Sequence, residues 1–262
     1  MRRRTGHAVL VLVLVAGTVA ALAWGYRTPA DYGRIVLGNR AARAGLSAAQ
    51  FDHWRHRARF TCRLCHVDVG FAMAVGETGI TAESNRGGFH CGACHDGHTK
   101  FAGRPVFAAC AEKPTDADKP RCARCHSPGD KERREADWAA FAEGKPKKGG
   151  GGDIDWEAAE AAGLVKPLDH VEGVSIPRPP LAMDKDVTIA SRAWMSDVLF
   201  SHKKHAVWNG CEVCHPEIFP NTPGGTRMTM LEISSGQSCG VCHGKVAFSI
   251  GDCERCHTSQ VR

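Results

Sequence analysis

The sequence predicts few regular secondary structures, mainly short α-helices with loops, in two tandem modules that follow an N-terminal apolar helix. Three observations predict this organisation. The motif Cys-x-x-Cys-His occurs six times, a Phe-x-His-x-x-His segment precedes it twice, and the chain opens with basic residues followed by an apolar stretch. A motif order that recurs along a chain indicates an internal repeat, which has to be recognised before individual elements are assigned.

The six motifs contain twelve of the 13 cysteines. Cys-x-x-Cys-His attaches c-type haem: both thiols bond to the macrocycle, and the histidine becomes an axial ligand of the iron. A disulfide framework or zinc-binding pairs are the alternatives for a cysteine-rich chain. Neither requires a histidine directly after every pair. We therefore expect six covalently bound c-type haems, and we assign no role to Cys110.

The motifs name two sets of site residues. The predicted thioether residues are Cys62, Cys65, Cys91, Cys94, Cys122, Cys125, Cys211, Cys214, Cys239, Cys242, Cys253 and Cys256. The predicted proximal iron ligands are His66, His95, His126, His215, His243 and His257. Six large apolar macrocycles would replace much of the side-chain core of a chain this size, so we expect both modules to be packed around haem.

The N-terminus predicts export. Arg2, Arg3 and Arg4 precede an apolar stretch over residues 8–24, which is long for a signal peptide and short for a spanning helix. Two interpretations stay open: a cleaved signal, or an uncleaved inner-membrane anchor, which Trp24 at a membrane interface favours. Both predict a periplasmic body. The net charge of +6 comes from scattered basic residues and predicts no nucleic-acid partner.

The repeat sets the domain boundaries. Phe51 and Phe200 each begin a Phe-x-His-x-x-His segment that is followed, after five residues, by Cys62 and Cys211 respectively. Two further Cys-x-x-Cys-His motifs follow in each copy. The predicted domains are a signal or anchor (1–26), an N-terminal connector (27–47), a first three-haem module (48–130), a flexible linker with a short helix (131–195) and a second three-haem module (196–262).

Local signals predict three short helices. One covers residues 31–43, and a second is capped by Ser47 and carries both histidines of the first Phe-x-His-x-x-His segment. The third starts at Asp155 in the linker and ends at Gly163. The glycine run over residues 149–152 predicts a flexible hinge.

Paired histidines are the candidate distal ligands. His53 and His56, and likewise His202 and His205, stand three residues apart, so both members of a pair lie on one side of a helical turn. Identical pairs at identical distances from a haem motif indicate ligands of two neighbouring haems.

The chain resembles the cytochrome c7 family, three-haem relatives of cytochrome c3. The resemblance is close over residues 200–257 and looser over residues 53–126. It implies that His202 serves the haem on Cys211 and Cys214, and that His205 serves the haem on the following motif. His53 and His56 would do the same in the first module.

The resemblance also implies a distal ligand for the third haem of each module, from the loop between the first and second motifs. In the second module this loop has no histidine, and Met230 is the predicted ligand, with Met228 as the alternative. In the first module Met73 is the predicted ligand, and His98 and His90 stay open. A methionine ligand would raise the haem potential above that of a bis-histidine site.

Ligand-filled haems predict an electron-transfer protein rather than an enzyme. We expect a hexahaem electron carrier that exchanges electrons with redox partner proteins in the periplasm or at the outer face of the membrane. One alternative is a membrane-anchored quinol-oxidising subunit. The other is a multihaem reductase with one open haem, for which the Cys122/Cys125 site is the candidate.

Overall fold

The computed structural model describes residues 33–127, 131–148, 153–179, 183–191 and 194–258. Regular structure in these residues is sparse and mostly helical, with loops between short elements, which confirms that part of the predicted fold class. The predicted N-terminal apolar helix and the predicted hinge at residues 149–152 lie outside the described residues. Within the described ranges, no helix is both long and apolar enough to cross a bilayer.

The first half of the chain contains these elements: β1 (Arg34–Leu37), α1 (Asn39–Arg43), β2 (Ala49–Asp52), α2 (His53–Arg57), a π-helical turn (Leu64–Asp68), α3 (Ala82–Arg86), a 3₁₀ turn (His90–Ala93), β3 (Lys100–Phe101), β4 (Arg104–Pro105), a 3₁₀ turn (Asp116–Asp118) and α4 (Lys119–Cys122). The connector and second half contain α5 (Lys131–Ala142), β5 (Lys147–Lys148), β6 (Asp153–Ile154), α6 (Trp156–Ala161), β7 (Asp186–Ile189), β8 (Val198–Ser201), α7 (His202–Asn209), α8 (Met230–Ser234) and 3₁₀ turns at Ser238–Val241 and Cys253–Arg255.

Each half begins with a two-stranded antiparallel hairpin that leads directly into the helix carrying the histidine pair. β1 pairs with β2, with Ile35 opposite Phe51, and β7 pairs with β8, with Val187 opposite Phe200. The histidine helices α2 and α7 begin at His53 and His202, immediately after β2 and β8. The strand β1 belongs to the segment that the sequence predicted to be a connector.

Two of the predicted helices are wrong in the described residues. The segment predicted as a helix over residues 31–43 forms strand β1 before helix α1 begins at Asn39. The predicted helix capped by Ser47 begins only at His53, with Asp52 at its N-cap, because Ala49–Asp52 pairs with β1. Pairing between strands overrides the local capping signal here, as tertiary context often does. The predicted linker helix is confirmed as α6, with Asp155 as its N-cap.

A second repeated unit precedes the middle motif of each half. Helices α3 and α8 both begin with a capping box, formed by Thr81 with Ser84 and by Thr229 with Glu232. The residue before the motif has a left-handed backbone in both copies, with φ of 51° at His90 and 48° at Ser238. Helix, turn and motif therefore share one backbone geometry in the two halves.

A glycine inside each middle motif allows this geometry. A Cβ atom on Gly92 would lie 1.7 Å from the Asn85 carbonyl oxygen, and one on Gly240 would lie 1.8 Å from the Ile233 carbonyl oxygen. Both carbonyls belong to the capped helix before the motif. Only glycine lets the motif backbone pack this closely against that helix.

The connector forms a small side-chain core. Ala142, Ile154, Ala159 and Val165 are buried together, and aromatic residues of α5 and α6 pack around them. Trp54 of α2 extends this cluster, with ring centroids 5.4 Å from Trp138 and 4.8 Å from Phe141. The connector is thus packed against the histidine helix of the first half.

An ion-pair network joins the first motifs of the two halves. Arg63, between the cysteines of the first motif, has 2% side-chain exposure and pairs with Asp68 at 3.0 Å and with Asp169 at 2.6 Å. Arg178 of the connector reaches Asp68 at 3.2 Å and Glu212 of the fourth motif at 2.5 Å. Carboxylates on three parts of the chain therefore surround two arginines at this junction.

Replacing either buried motif glycine is expected to destabilise the fold. Gly92→Ala or Gly240→Ala forces the helix and motif apart and should lower the free energy of unfolding by about 2 kcal/mol or more. Urea unfolding of the haem-loaded protein measures the change. The control is Gly38→Ala, whose added methyl would meet only Ala48 at 3.7 Å. Equal midpoints for all three variants would contradict the steric argument.

Removing one of the carboxylate partners of the buried Arg63 is expected to lower the stability of the folded protein. Asp169→Ala leaves an incompletely paired charge and should destabilise the protein by about 3 kcal/mol. Asp184→Ala is the control, because its pair with Lys203 is exposed on both sides. Thermal unfolding of both variants tests the difference, which should disappear if the Arg63 network contributes no stability.

Candidate haem-binding sites

A single large cavity collects residues from all six Cys-x-x-Cys-His motifs. Its volume is about 2120 Å³, more than twice that of a typical small-molecule pocket. His53, His56, His205, Met73 and Met230 also line it. The cavity therefore has the size and the sulfur and imidazole groups needed to hold several haems, so the residues present fit this cofactor.

Imidazole pairs face each other across parts of this cavity. The ring centroids of His53 and His66 are 6.4 Å apart with nearly parallel planes, those of His56 and His95 are 6.3 Å apart, and those of His205 and His243 are 6.2 Å apart. Two imidazoles bound to opposite sides of one metal ion, with metal–nitrogen bonds of about 2.0 Å, have centroids about 6 Å apart. The spacing in all three pairs suits an iron ion between the rings.

These three pairs combine residues as the family resemblance implied. The first histidine of a Phe-x-His-x-x-His segment faces its own module's first motif, and the second faces the middle motif. The fourth implied pair, His202 with His215, is not among the ring contacts of the described residues. Ligation at all four remains a prediction.

Ten histidines share one hydrogen-bonding arrangement. In each of them Nδ1 lies 2.5 to 3.4 Å from a backbone carbonyl oxygen. They are the ten predicted histidine ligands: His53, His56, His66, His95, His126, His202, His205, His215, His243 and His257. A proton on Nδ1 that is donated to the carbonyl leaves the Nε2 lone pair for a metal ion, as metal-ligating histidines usually do. His90 and His170 instead contact serine hydroxyls.

The repeated phenylalanine orients both distal candidates in each half. Phe51 lies edge-on to His53 at 4.8 Å and stacks on His56 at 4.3 Å. Phe200 repeats these contacts with its own histidine pair at 4.9 and 4.3 Å. The sequence pattern assigned this phenylalanine no role, although its presence at the same offset in both copies was the signal for one.

Burial keeps several of these imidazoles neutral. It lowers the pKa of His53, His56 and His243 to about 4, against the opposing effect of their backbone hydrogen bonds. It also raises the pKa of the Cys65 and Cys242 thiols to about 12. The site surroundings therefore disfavour a positive charge on these imidazoles, and a neutral imidazole is the form that binds iron.

Each hairpin also holds the last motif of its own half. The β2 residue Gln50 donates its N–H to Cys125 O at 2.8 Å, and the β8 residue Leu199 donates to Cys256 O at 3.3 Å. The loop just before the second strand of each hairpin supplies a carbonyl oxygen that accepts a hydrogen bond from the proximal histidine. This oxygen belongs to Ser47 for His126 and to Ser196 for His257. One hairpin thus positions the first and third sites together.

The methionine candidates do not occupy equivalent positions. Met230 is the first residue of α8, whereas the matching first residue of α3 is Ala82. Met73 lies earlier in the chain, and both methionines are partly exposed at the cavity. The structure places Met228 Sδ 3.9 Å from Cys239 Sγ, so this alternative contacts the middle motif of its module.

The chain matches the family model described as cytochrome c7 and related cytochrome c, over residues 49–127 and 198–258. It is similar to a solved c7-type three-heme cytochrome domain, with 39% identity over 30% of this chain and 95% of that one, and a TM-score of 0.27. No curated protein matches.

Two longer solved structures are also similar. The C-terminal hexaheme fragment of GSU1996 is 23% identical over 86% of this chain and 97% of that one, with a TM-score of 0.26. The dodecaheme cytochrome c GSU1996 is 22% identical over 86% of this chain and 48% of that one, with a TM-score of 0.27. The family assignment rests on the family model, which covers slightly more than half of the chain and both copies of its repeat. The protein belongs to the cytochrome c7 family of multihaem c-type cytochromes, which act in electron transfer.

Proposed function

We propose that the chain binds six c-type haems in two three-haem modules and carries electrons between redox partner proteins in the periplasm. The observation that carries this proposal is the set of three imidazole pairs, each 6.2 to 6.4 Å apart. Two imidazoles on one iron leave no coordination position for a substrate, and such a haem passes electrons without binding small molecules.

Haem, when bound, supplies the one-electron chemistry of its iron, and the chain supplies position and environment. The backbone carbonyls hold the imidazoles in one tautomer, and the two phenylalanines limit rotation of the distal rings. Ligands that are fixed in advance need little rearrangement when the charge at a site changes. This favours rapid electron exchange.

The ligand set that we propose includes a methionine in each module. His53, His56, His202 and His205 serve the first two haems of their modules, Met230 serves the Cys253/Cys256 haem, and Met73 serves the Cys122/Cys125 haem. A methionine site has a higher potential than a bis-histidine site. Electrons entering the second module would then collect at its last haem.

The cellular location is proposed from residues 1–26 alone. Their basic start and apolar stretch favour export, with an uncleaved inner-membrane anchor as the preferred form. An anchored carrier would stay close to membrane redox enzymes, and a quinol-oxidising subunit is the variant of this proposal in which the donor is a membrane quinol.

A second candidate function rests on Ala82. The alanine stands where the second module has Met230, so the Cys122/Cys125 haem lacks a ligand at the matching position. If neither Met73 nor the alternatives His98 and His90 bind there, this iron has an open site, which is what a multihaem reductase requires. Spectroscopy of the haem-loaded protein separates the two functions.

Six haems are expected by mass. The purified protein should exceed the mass of its polypeptide by six haem groups, and denaturation should not release them, because each is held by two thioethers. Cys110→Ser should keep all six, while Cys62→Ser should weaken one attachment. Fewer than six haems in the unsubstituted protein, measured by intact-protein mass spectrometry, would contradict the proposed count.

Removing the proposed methionine ligand should open one haem. Met230→Ala is expected to remove the methionine ligand from one ferric haem while the haem stays attached. The charge-transfer absorption of that haem should disappear, and one high-spin signal should appear in electron paramagnetic resonance. Met228→Ala is the matched control two residues away and should leave both signals unchanged. The assignment passes to Met228 if the two variants show the reverse behaviour.

A further inference from the structure

We propose that Arg57 is the positioning residue for electron transfer between the two modules, acting at the contact between the Cys62/Cys65 site and the Cys239/Cys242 site. This inference rests on the proposed function, since it concerns one step within the proposed row of haems. It follows from the contacts of one guanidinium group that touches both modules and the connector.

Arg57 ends helix α2, directly after the distal candidate His56. Its Nη1 donates a hydrogen bond of 2.7 Å to Val246 O in the second module. Its guanidinium carbon lies 4.6 Å from the ring centroid of Trp156 in the connector and 5.0 Å from that of Trp208 in α7. A planar cation between aromatic rings, with a donor aimed at a carbonyl, is a geometry that arginine provides and lysine does not.

The rings that receive Arg57 are themselves held in place. Trp208 donates from Nε1 to the Glu160 carboxylate at 2.6 Å, and Lys204 on the same helix pairs with Glu157 at 2.9 Å. Helix α6, which carries both glutamates, is thereby attached to α7. The arginine therefore inserts into a preformed site between the connector and the second module.

The loop that Arg57 contacts belongs to the proposed second-module site. Val246 N donates to Cys242 O at 2.8 Å, and Lys245 N donates to the same oxygen at 3.1 Å. Hydrogen bonds thus run from Arg57 through Val246 to the backbone of a haem-attaching cysteine. The proximal candidate His243 stands next to that cysteine.

The same loop reaches the distal side of the first site. Gly33 accepts the Nδ1 hydrogen bond of His53, and a Cβ atom on Gly33 would lie 3.1 Å from Val246 Cγ1 and 3.3 Å from Lys245 O. The residues that surround the imidazoles of the two sites are therefore in contact across the module boundary.

The charge of Arg57 acts on both sites. Its guanidinium lies close to both, because Arg57 follows His56 in α2 and its Nη1 reaches Val246 O, four residues after Cys242. A nearby positive charge disfavours the more positive, oxidised state of a metal site. Arg57 should therefore raise both potentials while holding the sites together.

The step itself is a one-electron transfer. With haem bound at both sites, one site would be oxidised and the other reduced, and the transfer would make or break no bond and require no proton. Docking of the two modules sets its rate, because the sites must stay in contact. Arg57 contributes to that docking by one hydrogen bond from a charged donor and two cation–π contacts.

Arg57→Ala tests the inference in the full haem-loaded chain. Alanine is compatible with this helix, since Ala206 stands at the matching position of α7. Haem-methyl NMR lines of partly reduced protein report electron exchange within and between modules. Exchange between modules should slow about tenfold or more, from the lost docking contacts, while exchange within each module is kept. The potentials of the two facing sites should also fall.

Two further variants separate charge from position. Arg57→Lys should keep the potentials and still slow exchange between modules, because the charge remains and the planar contacts are lost. Trp208→Leu, which leaves Arg57 in place, should slow it as well and covers the case in which Arg57→Ala does not fold. Lys203→Ala is the matched control: this exposed cation follows His202 on the equivalent helix and should change neither quantity.

The inference is overturned if Arg57→Ala, or Trp208→Leu in its place, exchanges electrons between modules at the unsubstituted rate. It is also overturned if Arg57→Lys lowers the potentials as much as alanine does. Absence of exchange within either module of the unsubstituted protein would instead contradict the proposed function. The two failures are therefore distinguishable.

Discussion

The hydrogen bond from imidazole Nδ1 to a backbone carbonyl is the interaction on which the proposed sites depend. It recurs in ten histidines and uses carbonyls from hairpins, loops and helix starts, so short irregular segments take part directly in positioning the imidazoles. The hydrogen bond to an imidazole fixes the position of the loop backbone, even where there is no regular secondary structure. This explains how a chain with such short helices and strands holds well-defined imidazole pairs.

The two modules use this interaction through the same two devices. In each module, a hairpin leads directly into the histidine helix, and its second strand also bonds to the last Cys-x-x-Cys-His motif. A capped helix packs against the glycine of the middle motif. Hairpin and capped helix together determine where three proximal histidines stand. Two arginine contacts then connect the copies: Arg57 bonds directly to Val246 of the second module, and Arg63 belongs to the ion-pair network that reaches Glu212 through Asp68 and Arg178.

Much of the candidate site was predictable because its chemistry is local in sequence. The Cys-x-x-Cys-His motif and the histidine pair each lie within six residues. Because the chain repeats them, His53 and His202 could be recognised as equivalent positions in the two copies. Strands β1 and β2 were not predictable, because Ile35 and Phe51, which pair with each other, stand sixteen positions apart in the sequence. The contacts of Arg57 were equally hidden, since Trp156, Trp208 and Val246 are remote from it in sequence and share no motif.

The connector illustrates the same limit. The glycine run that predicted a flexible hinge lies outside the described residues. In the described parts of the connector, Trp138, Phe141 and Trp156 form an aromatic cluster against α2. Aromatic residues that are widely spaced along a polar stretch produce no hydrophobic periodicity. Their packing into one cluster is therefore visible only in the folded structure. The connector thus packs against helix α2 of the first module and helix α7 of the second, in addition to linking the modules along the chain.

The capped helix and its glycine contact also bear on how such chains can lengthen. From the capping threonine to the motif cysteine the spacing is ten positions in both halves, Thr81 to Cys91 and Thr229 to Cys239. The stretch between the middle and last motifs is far longer in the first half than in the second. Natural or engineered insertions are therefore tolerated after the middle motif and excluded just before it, so a module can gain new surface for a partner while its metal sites keep their spacing.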